Sequence, residues 1–555
     1  MNRMTLLSAA ALVAAAPLYA QGSDNRAARM DSIFTAVDRT GTPGCAAGAV
    51  QNGRFLHARG YGMADLERGA PITPQSVFYM GSVSKQFTAM SVALLSKDGT
   101  LSLDDPARKY LPEIPEAGAA ITIRHMVHHM SGLREKWDLL LLSGYRAGNL
   151  VVQQDVLDLV KQQRALNFPP GTDHLYNNTA YDLLANVVQR ASGKSLREFA
   201  AERIFRPLGM TRSLYVDDRT LLIPGRAAGY STGGGRITVD NPNVETVGSG
   251  SVYSTLEDMA RWDESFYTGS LGGEDLLRLV QTPGKLNDGT PLTYAFGLVV
   301  DSWRGQRRVQ HGGALAGFRT QITRFPEQHF SAIVLCNFAQ ANPAMFADRI
   351  AEVYLAEKLA AAPARPARSA ERPAFENAEL AGRAAGIYRS TRSGAVIRLE
   401  QEGPALLYVM GSLKLPLTAS GPDRARIPSP FDGDLLFDSP AGKPVTGFQR
   451  NGEPPHESYR RAGAPVTTPA ALGALTGQYR SPELGVTWTI ALKDTALIAT
   501  AVQGREVKLM PAFQDGFTLE GSTVEFVRDG RGRVVALLLT PGRSRNLRFE
   551  RAPGR

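Results

Sequence analysis

The chain has 555 residues, of which 43% are hydrophobic and 21% charged, and its formal net charge is +9. This composition excludes an intrinsically disordered protein, and the length predicts two to four domains. The basic residues are scattered, without a Lys/Arg block or interleaved aromatic residues, so we expect no nucleic-acid partner. The two cysteines, Cys45 and Cys336, are too few for a disulfide framework or a multi-cysteine metal site.

The first twenty residues have the pattern of an export signal. Arg3 supplies positive charge, residues 6–16 form a short apolar run, and Ala20 is a small residue at which cleavage can follow. The run is too short to span a bilayer, and no later stretch is long and apolar enough to do so. We therefore predict a signal peptide at residues 1–20, rather than a buried N-terminal helix, and a mature protein that is periplasmic or secreted and does not span the membrane.

The region from residue 25 to residue 360 mixes strand and helix patterns. An apolar run at 45–50 is followed by the hairpin dipeptide Asn52-Gly53 and a second strand pattern at 54–59. Strand patterns return only near residue 300, and the last of them covers 330–336. The simplest assembly is an antiparallel sheet built from both ends of this region, with helices inserted between.

That assembly has a consequence for the two cysteines. If the first strand lies antiparallel to the last, Cys45 at the start of one lies beside Cys336 at the end of the other. In an oxidising compartment the two can form a disulfide. The alternative is a pair of small buried thiols.

A Pro- and Ala-rich connector at residues 361–375 separates this region from a strand-rich part. There the pentapeptide Gly-Ile-Tyr-Arg-Ser at 386–390 recurs as Gly-Gln-Tyr-Arg-Ser at 477–481, an offset of 91 residues, and further matches share that register. Both copies alternate apolar and polar residues over short runs. We predict two small antiparallel β-barrels, repeat 1 at 376–464 and repeat 2 at 465–555.

The run Gly81-Ser82-Val83-Ser84-Lys85 begins a helical pattern and is the first candidate for chemistry. Ser82 and Lys85 lie on one face of its first turn, where a partly desolvated lysine can take the proton of a serine nucleophile. The helix N-terminus also places the Ser82 N–H where an oxyanion forms. Alone the pair is a weak signal, because a capping serine and a solvated lysine have the same spacing.

Two further elements follow in order. Tyr176 and Asn178 lie two apart on a predicted loop, where a phenol near Lys85 can act as a base and an amide can bond both a lysine and a substrate carbonyl. The second element begins at His311, which can polarise the site or donate to the substrate. The glycines after it let a strand edge approach a ligand, so the backbone N–H of Ala314 can serve as a second oxyanion donor.

Two other groups of polar residues are predicted to be structural. The histidines at 125, 128 and 129 lack the carboxylate of a His-Glu-x-x-His pattern, so we predict no metal site there. Ser254 and Glu257 have the spacing of a capping box for the following helix. Glu257 is therefore interpreted as a helix cap and not as a catalytic acid.

The motifs Ser82-x-x-Lys85, Tyr176-x-Asn178 and His311-x-Gly313, in this order, resemble those of the serine β-lactamase and penicillin-binding superfamily. The resemblance is to its class C branch, which contains class C β-lactamases, DD-peptidases, D-aminopeptidases and related esterases. It covers nearly all of residues 30–360. It implies an α/β fold for residues 25–360, a β-lactamase/transpeptidase-like domain with an antiparallel sheet flanked by helices.

The resemblance also implies a role for each motif residue. Ser82 is the acylated nucleophile, Lys85 is its proton partner, and Tyr176 matches the general base. Asn178 orients the acyl amide, and the backbone N–H groups of Ser82 and Ala314, beside Gly313, form the oxyanion hole. No cofactor is implied.

One position departs from the pattern of the superfamily. In β-lactamases and DD-carboxypeptidases the third motif usually carries a lysine for the substrate carboxylate, and here His311 takes its place. A histidine is only partly charged near neutral pH, which disfavours a site for a free C-terminal carboxylate. Histidine at this position resembles D-aminopeptidases and some esterases.

The layout of a catalytic domain and two barrels also resembles D-aminopeptidases, in which a loop of the last barrel enters the active site. Asp515-Gly516 is our candidate for that loop, because its carboxylate could meet a substrate amine. Barrels that only stabilise the protein or bind the cell envelope are the alternative.

The function predicted from the sequence is a serine peptidase or amidase for D-amino-acid amides or short D-peptides, with substrates that can derive from peptidoglycan. An esterase or a weak class C β-lactamase of the same fold is the first alternative. The second, from another class, is an envelope-binding protein with a vestigial site.

Overall fold

The computed structural model describes residues 22–146, 148–361, 375–410, 413–428, 433–438, 442–451 and 457–553. The predicted signal peptide at 1–20 lies outside these ranges, as does the predicted connector apart from its two end residues. None of the helices in these ranges has both the length and the hydrophobicity needed to cross a bilayer.

Helices occur mainly in the first 360 residues. They are α1 Gly22–Ile33, α2 Lys85–Lys97, α3 Ile123–Val127, α4 Lys136–Leu142, α5 Gln153–Gln162, α6 Asn178–Ser192, α7 Leu196–Ala200, α8 Leu256–Thr268, α9 Gly273–Val280, α10 Pro343–Tyr354, α11 Ala378–Ala384 and α12 Pro469–Gly473. A 3₁₀ turn at Gly81–Ser84 runs directly into α2.

Strands are divided among three parts of the chain. The first part contains β1 Cys45–Gln51, β2 Arg54–Tyr61, β3 Met63–Asp65, β4 Ala70–Pro71, β5 Phe78–Tyr79, β6 Leu214–Tyr215, β7 Tyr230–Gly233, β8 Arg236–Val239, β9 Val252–Ser254, β10 Val299–Trp303, β11 Gln306–Leu315, β12 Phe318–Phe325 and β13 Phe330–Cys336. The second contains β14 Gly386–Ser390, β15 Val396–Glu402, β16 Ala405–Met410, β17 Leu413–Pro416, β18 Thr418–Gly421, β19 Arg424–Ile427, β20 Gly433–Asp438, β21 Gly447–Asn451 and β22 Glu457–Arg461. The third contains β23 Gly477–Arg480, β24 Thr487–Lys493, β25 Ala496–Thr500, β26 Glu506–Phe513, β27 Gly516–Leu519, β28 Ser522–Arg528, β29 Val534–Thr540 and β30 Leu547–Arg551.

A six-stranded antiparallel sheet of order β10-β11-β12-β13-β1-β2 is built from both ends of the first part, as the sequence predicts. Both of its faces are covered. Ala47 and Ala49 of β1 pack in one cluster with α1 and α10, whereas Ala46 and Val50 pack in another with α2 and α8. Burial on both faces explains why β1 reads as an unbroken apolar run and not as an alternating one.

The pairing of β1 with β13 places Cys45 opposite Cys336, and the two form a disulfide across 291 residues of sequence. Of the two arrangements left open by the sequence, the cross-link is the one observed. It joins the first strand of the sheet to the last.

Helix α2 lies at the centre of the helical layer. Every residue from Lys85 to Leu95 is buried, and Lys85, Gln86, Thr88 and Ser91 each make at least one side-chain hydrogen bond. Thr88 donates to the carbonyl of Gly248 at 2.7 Å, and Gln86 accepts from the indole of Trp262 at 2.8 Å. These bonds connect the buried helix to neighbouring segments, so it is a rigid base for the residues at its N-terminus.

The repeat predicted at an offset of 91 residues is visible in the structure. The hydroxyl of Tyr388 in β14 donates to the carbonyl of Ala384 at 2.8 Å, and the hydroxyl of Tyr479 in β23 donates to that of Leu475 at the same distance. Strands β14–β22 form a nine-stranded antiparallel sheet whose two edges, β17 and β18, are consecutive in the chain. Strands β23–β30 form a closed eight-stranded barrel.

The closed barrel docks on the helical layer through buried charges. The Arg134 guanidinium pairs with Glu483 at 2.8 Å, and Arg545 pairs with Asp173 at 2.8 Å. Arg392, from the nine-stranded sheet, pairs with the other oxygen of Asp173 at 2.7 Å. Both C-terminal units are thus tied to one carboxylate of the first part.

The cross-link between Cys45 and Cys336 should contribute measurably to stability. We expect reduction of the wild type to lower the free energy of unfolding by about 2–5 kcal/mol, because the disulfide restricts the unfolded chain. Urea denaturation with and without dithiothreitol measures this difference. The double variant Cys45→Ala/Cys336→Ala is the control, and a reductant effect of equal size in it would contradict the prediction.

The Arg134–Glu483 pair gives a second prediction about stability. Glu483→Gln leaves a buried guanidinium without its counter-charge, so we expect a loss of about 3–5 kcal/mol in urea denaturation. Glu506→Gln is the matched control, because its pair with Lys493 has side chains 50% and 53% exposed and should contribute at most about 1 kcal/mol. Equal losses in the two variants would contradict the importance of the buried pair.

Candidate active site

The turn that carries Ser82 lies against the second half of β11. At Gly81, where φ is +53°, an added Cβ would lie 2.6 Å from the backbone nitrogen of Ala314. At Gly313 an added Cβ would lie 2.0 Å from the carbonyl oxygen of Met80. Both contacts are too short for a side chain, so the two glycines allow the strand edge to approach the serine.

In the part of the chain that the structure describes, no strand pairs with the second half of β11 on the edge next to Ser82. Strand β10 pairs with β11 only as far as Gln310, and the part from His311 to Leu315 continues past it. Ala314 is exposed there. Ser82 and Ala314 both line one cavity, and two backbone N–H groups that face one space are what an oxyanion hole requires.

The ammonium of Lys85 lies at the centre of the site. Its Nζ donates to Ser82 Oγ at 3.2 Å, to Asn178 Oδ1 at 2.8 Å and to the carbonyl of Ser249 at 2.7 Å. The three acceptors match the three hydrogens of a lysine ammonium. Lys85 is therefore held in one position beside the serine hydroxyl.

Burial changes the acidity of this lysine. Lys85 is fully buried, and desolvation lowers its pKa to about 7. The carboxylates of Asp182 and Glu135 act in the opposite direction and limit the decrease in the pKa. A substantial fraction of Lys85 is consequently uncharged at neutral pH and able to accept a proton from Ser82.

Asn178 is the first residue of α6, where Asn177 caps the helix by accepting from the N–H of Ala180 at 2.7 Å. The carboxylate of Glu135 accepts from both the backbone N–H of Asn178 and its Nδ2, at 2.7 and 2.9 Å. This fixes the amide with its oxygen toward Lys85. Among the described residues no acceptor is bonded to the second hydrogen of Nδ2, which is therefore available to a ligand.

Tyr176 lies in a cluster of aromatic rings next to the lysine. Lys85 Nζ is 4.8 Å from the centroid of its ring, and the His129 ring centroid is 4.4 Å from it. Burial raises the pKa of Tyr176 above its ordinary value, and the Ser82 hydroxyl and the Arg543 charge oppose that increase. The phenol is therefore protonated at neutral pH in the free protein.

His129 holds the loop that carries Tyr176. Its Nδ1 accepts from the backbone N–H of Asn177 at 3.1 Å, and its carbonyl accepts from that of Leu175 at 3.0 Å. Both chain neighbours of Tyr176 are thus bound to one buried residue. Nothing in the spacing of the three histidines indicated this role.

The other two histidines of that group are also engaged structurally. The side chain of His125 completes a capping box with Thr122 at the start of α3. Nδ1 of His128 is bonded to the carbonyl of Tyr294 at 3.1 Å.

His311 is uncharged in this structure. Its Nδ1 donates to the carbonyl of Gly312 at 2.7 Å, so Nε2 accepts the hydroxyl hydrogen of Tyr294 at 3.1 Å. Burial, together with the nearby charge of Lys85, lowers the pKa of His311 to about 4. The third motif therefore supplies no positive charge at neutral pH, whereas the sequence alone predicts a partly charged histidine.

These residues surround one cavity of about 870 Å³. Its lining includes six of the seven residues that the sequence singles out, namely Ser82, Tyr176, Asn178, His311, Gly313 and Ala314. The seventh, Lys85, lies beneath Ser82 and bonds to it.

The expectation that the Asp515 loop enters the active site is wrong. Asp515 lies in the turn between β26 and β27 and pairs with Arg528 at 2.7 Å, away from the cavity. The loop of the last barrel that reaches the cavity is instead the β29–β30 connection, through Arg543. The dipeptide Asp515-Gly516 indicates a hairpin turn, but it does not indicate which end of the barrel faces the part of the chain that carries Ser82.

The cap of α8 is displaced by one residue from the prediction. Thr255 caps the helix by accepting from the N–H of Asp258 at 3.1 Å. Ser254 belongs to β9, and its hydroxyl is bonded to that of Ser213 at 2.8 Å. Glu257 remains structural, as a partner of Gln75.

Comparison with known proteins agrees with this geometry. A profile of the beta-lactamase family matches residues 29–357, which is more than half of the chain. A D-aminopeptidase of Gluconobacter oxydans is 28% identical over 480 residues, covering 83% of this chain and 84% of the relative. A D-aminopeptidase of Cereibacter sphaeroides is 29% identical over 458 residues, covering 81% of this chain and 82% of the relative.

Solved structures show the same fold. A penicillin-binding protein homologue from Pyrococcus abyssi superposes with a TM-score of 0.54 at 21% sequence identity. The superposition covers 78% of this chain and 98% of that protein.

The environment of Lys85 predicts how the reactivity of Ser82 depends on pH. We expect the rate of Ser82 labelling by a fluorophosphonate to rise about tenfold per pH unit below pH 7 and to level off above it, as Lys85 loses its proton. Glu135→Gln should move the midpoint to lower pH, because the Glu135 carboxylate raises the Lys85 pKa. Stopped labelling from about pH 5.5 to about 8.5 measures the midpoint.

Glu506→Gln, on the exposed surface of the last barrel, is the control for the charge change and should leave that midpoint in place. A labelling rate that does not vary over this pH range would rule out Lys85 as the group that activates the serine.

Proposed function

Because the chain belongs to the beta-lactamase family, whose serine hydrolase chemistry it shares, we propose that it releases D-amino acids from D-amino-acid amides or short D-peptides. The observation that carries the proposal is the contact of a buried Lys85, with a pKa of about 7, with Ser82 Oγ. The D-aminopeptidases similar to this chain over four fifths of its length support the substrate class.

In the proposed mechanism uncharged Lys85 accepts the proton of Ser82, whose oxygen attacks the scissile carbonyl. The N–H groups of Ser82 and Ala314 stabilise the oxyanion, each worth about 10²–10³ in rate. Tyr176, protonated at neutral pH, then donates its proton to the leaving amine. Water attacks the acyl-serine in the second half-reaction and gives its proton to Tyr176, now deprotonated. As the bond between the acyl carbon and Ser82 Oγ breaks, Lys85 returns its proton to Ser82 Oγ, and all three groups regain their starting protonation states.

We also propose that the protein acts outside the cytoplasm. The disulfide between Cys45 and Cys336 supports this location, since disulfides persist in oxidising compartments. The signal-like pattern at residues 1–20 supports it independently.

Ester hydrolysis is the second candidate function. Among the described residues that line the cavity, none is an aspartate or a glutamate. A substrate with a free ammonium near the reacting carbonyl would therefore lack a carboxylate partner there. An ester without a free amine needs no such partner.

The test uses three chromogenic compounds: D-alanyl p-nitroanilide, p-nitrophenyl acetate and a cephalosporin. We expect turnover of the anilide by the purified protein, and at least about a 10³-fold loss in Ser82→Ala, which lacks the nucleophile. L-alanyl p-nitroanilide is the stereochemical control. Cleavage of the ester without the D-anilide would reject the aminopeptidase proposal, and equal turnover by Ser82→Ala would reject the mechanism.

A further inference from the structure

The cavity around Ser82 is lined by three cationic side chains, Lys136, Arg319 and Arg543, and by no acidic one among the residues described. Two of the three are already paired. Lys136 contacts Asp182 at 2.6 Å, and the Arg319 guanidinium donates to two backbone carbonyls, those of Ala316 and Phe318. The Asp182 carboxylate neutralises the charge of Lys136. Arg319 keeps its charge, and the two carbonyls hold its Nη1 beside the turn between β11 and β12.

Arg543 differs from the other two. In the part of the chain that the structure describes, its guanidinium makes no hydrogen bond or ion pair, and its contact is with the ring of Tyr176, 5.3 Å from the centroid. It is half-buried at the cavity wall. A guanidinium has five N–H donors in a planar fork, and two of them match the oxygens of one carboxylate.

The backbone around Arg543 is fixed on both sides. Its N–H donates to Asp138 at 2.8 Å, and its carbonyl accepts from Asn167 at 3.0 Å. The next residue, Ser544, accepts from the buried N–H of Glu135 at 3.1 Å. These bonds hold the loop in one conformation with the side chain of Arg543 facing the site. The loop is therefore ordered before a substrate binds, and binding costs no loop-ordering entropy.

The position of Arg543 relative to Tyr176 indicates which part of a substrate it meets. In the proposed mechanism Tyr176 protonates the leaving group, so the space over its ring lies on the leaving side of the scissile bond. His311 provides no charge there, because it is neutral and both of its ring nitrogens are engaged. Of the three cations that line the cavity, Arg543 is the one whose guanidinium contacts the Tyr176 ring, and so it faces an anionic leaving part.

We propose that Arg543 binds a carboxylate on the leaving part of the substrate. This rests on the proposed acyl-serine function and narrows its substrate class to D-aminoacyl compounds whose leaving part carries a free carboxylate, such as short D-peptides with an unblocked C-terminus. The last barrel then contributes the specificity-determining residue, and the first part of the chain contributes the reacting groups.

The test compares two matched pairs of substrates, each differing in one carboxylate. The ester pair is 3-carboxyphenyl acetate and phenyl acetate, and the peptide pair is D-alanyl-glycine and D-alanyl-glycinamide. For each pair we expect kcat/KM, corrected for the uncatalysed rate, to favour the carboxylate compound about 10- to 100-fold, the range of a charge-assisted hydrogen-bonded pair.

Arg543→Gln should reduce this preference to near unity, and Arg543→Lys, which keeps the charge without the fork, should retain part of it. Arg548→Gln is the matched control, because Arg548 pairs with Glu550 on β30, away from the cavity, and should keep the wild-type preference. Equal cleavage of both esters by the wild type, or an unchanged preference in Arg543→Gln, would overturn the carboxylate site.

The ester pair separates this inference from the proposed function. Failure to cleave either D-alanyl compound, with the ester preference intact and dependent on Arg543, would reject the D-aminopeptidase activity and keep the carboxylate site. Cleavage of both D-alanyl compounds at equal rates would reject the carboxylate site and keep the D-aminopeptidase activity.

Discussion

Three consecutive charged residues, Arg134, Glu135 and Lys136, are buried together, with exposures of 1%, 0% and 1%. A buried charge without a partner costs several kcal/mol, so each needs a polar partner, and the three partners lie on the last barrel and on α6. Arg134 binds Glu483 of the last barrel, Glu135 binds the amide of Asn178, and Lys136 binds Asp182. One short segment thereby bonds the last barrel at one end and α6, with the active-site amide, at the other.

The parts of the site that were predictable from the sequence are those whose residues lie close together in the chain. Ser82 and Lys85 are one helical turn apart, and Tyr176 and Asn178 are two residues apart, so their spacing carries information. The β1–β13 pairing was predictable because both strands are apolar and bounded by turns. Glu135 and His129 gave no comparable signal, since each acts through a partner distant in sequence and a single buried charged or aromatic residue has no period.

Arg543 shows a further limit of sequence reasoning. More than 360 residues separate it from Tyr176, and its loop has the same kind of turn residues as the Asp515 turn that the sequence favoured. The choice between them depends on the orientation of a closed barrel against a neighbouring surface. That orientation is set by buried pairs such as Arg545–Asp173, whose partners are indistinguishable from surface residues in the sequence.

The first strand of the central sheet, β1, can pair with β13 only after nearly the whole first part of the chain has been synthesised. A ribosome adds residues 330–336 some 290 residues after Cys45, so until then β1 has only β2 beside it and exposes its other edge. Sheet closure is therefore a late, non-local step, of the kind that folds slowly. Cys45 and Cys336 come together only when β1 pairs with β13, so their oxidation to a disulfide follows completion of the sheet.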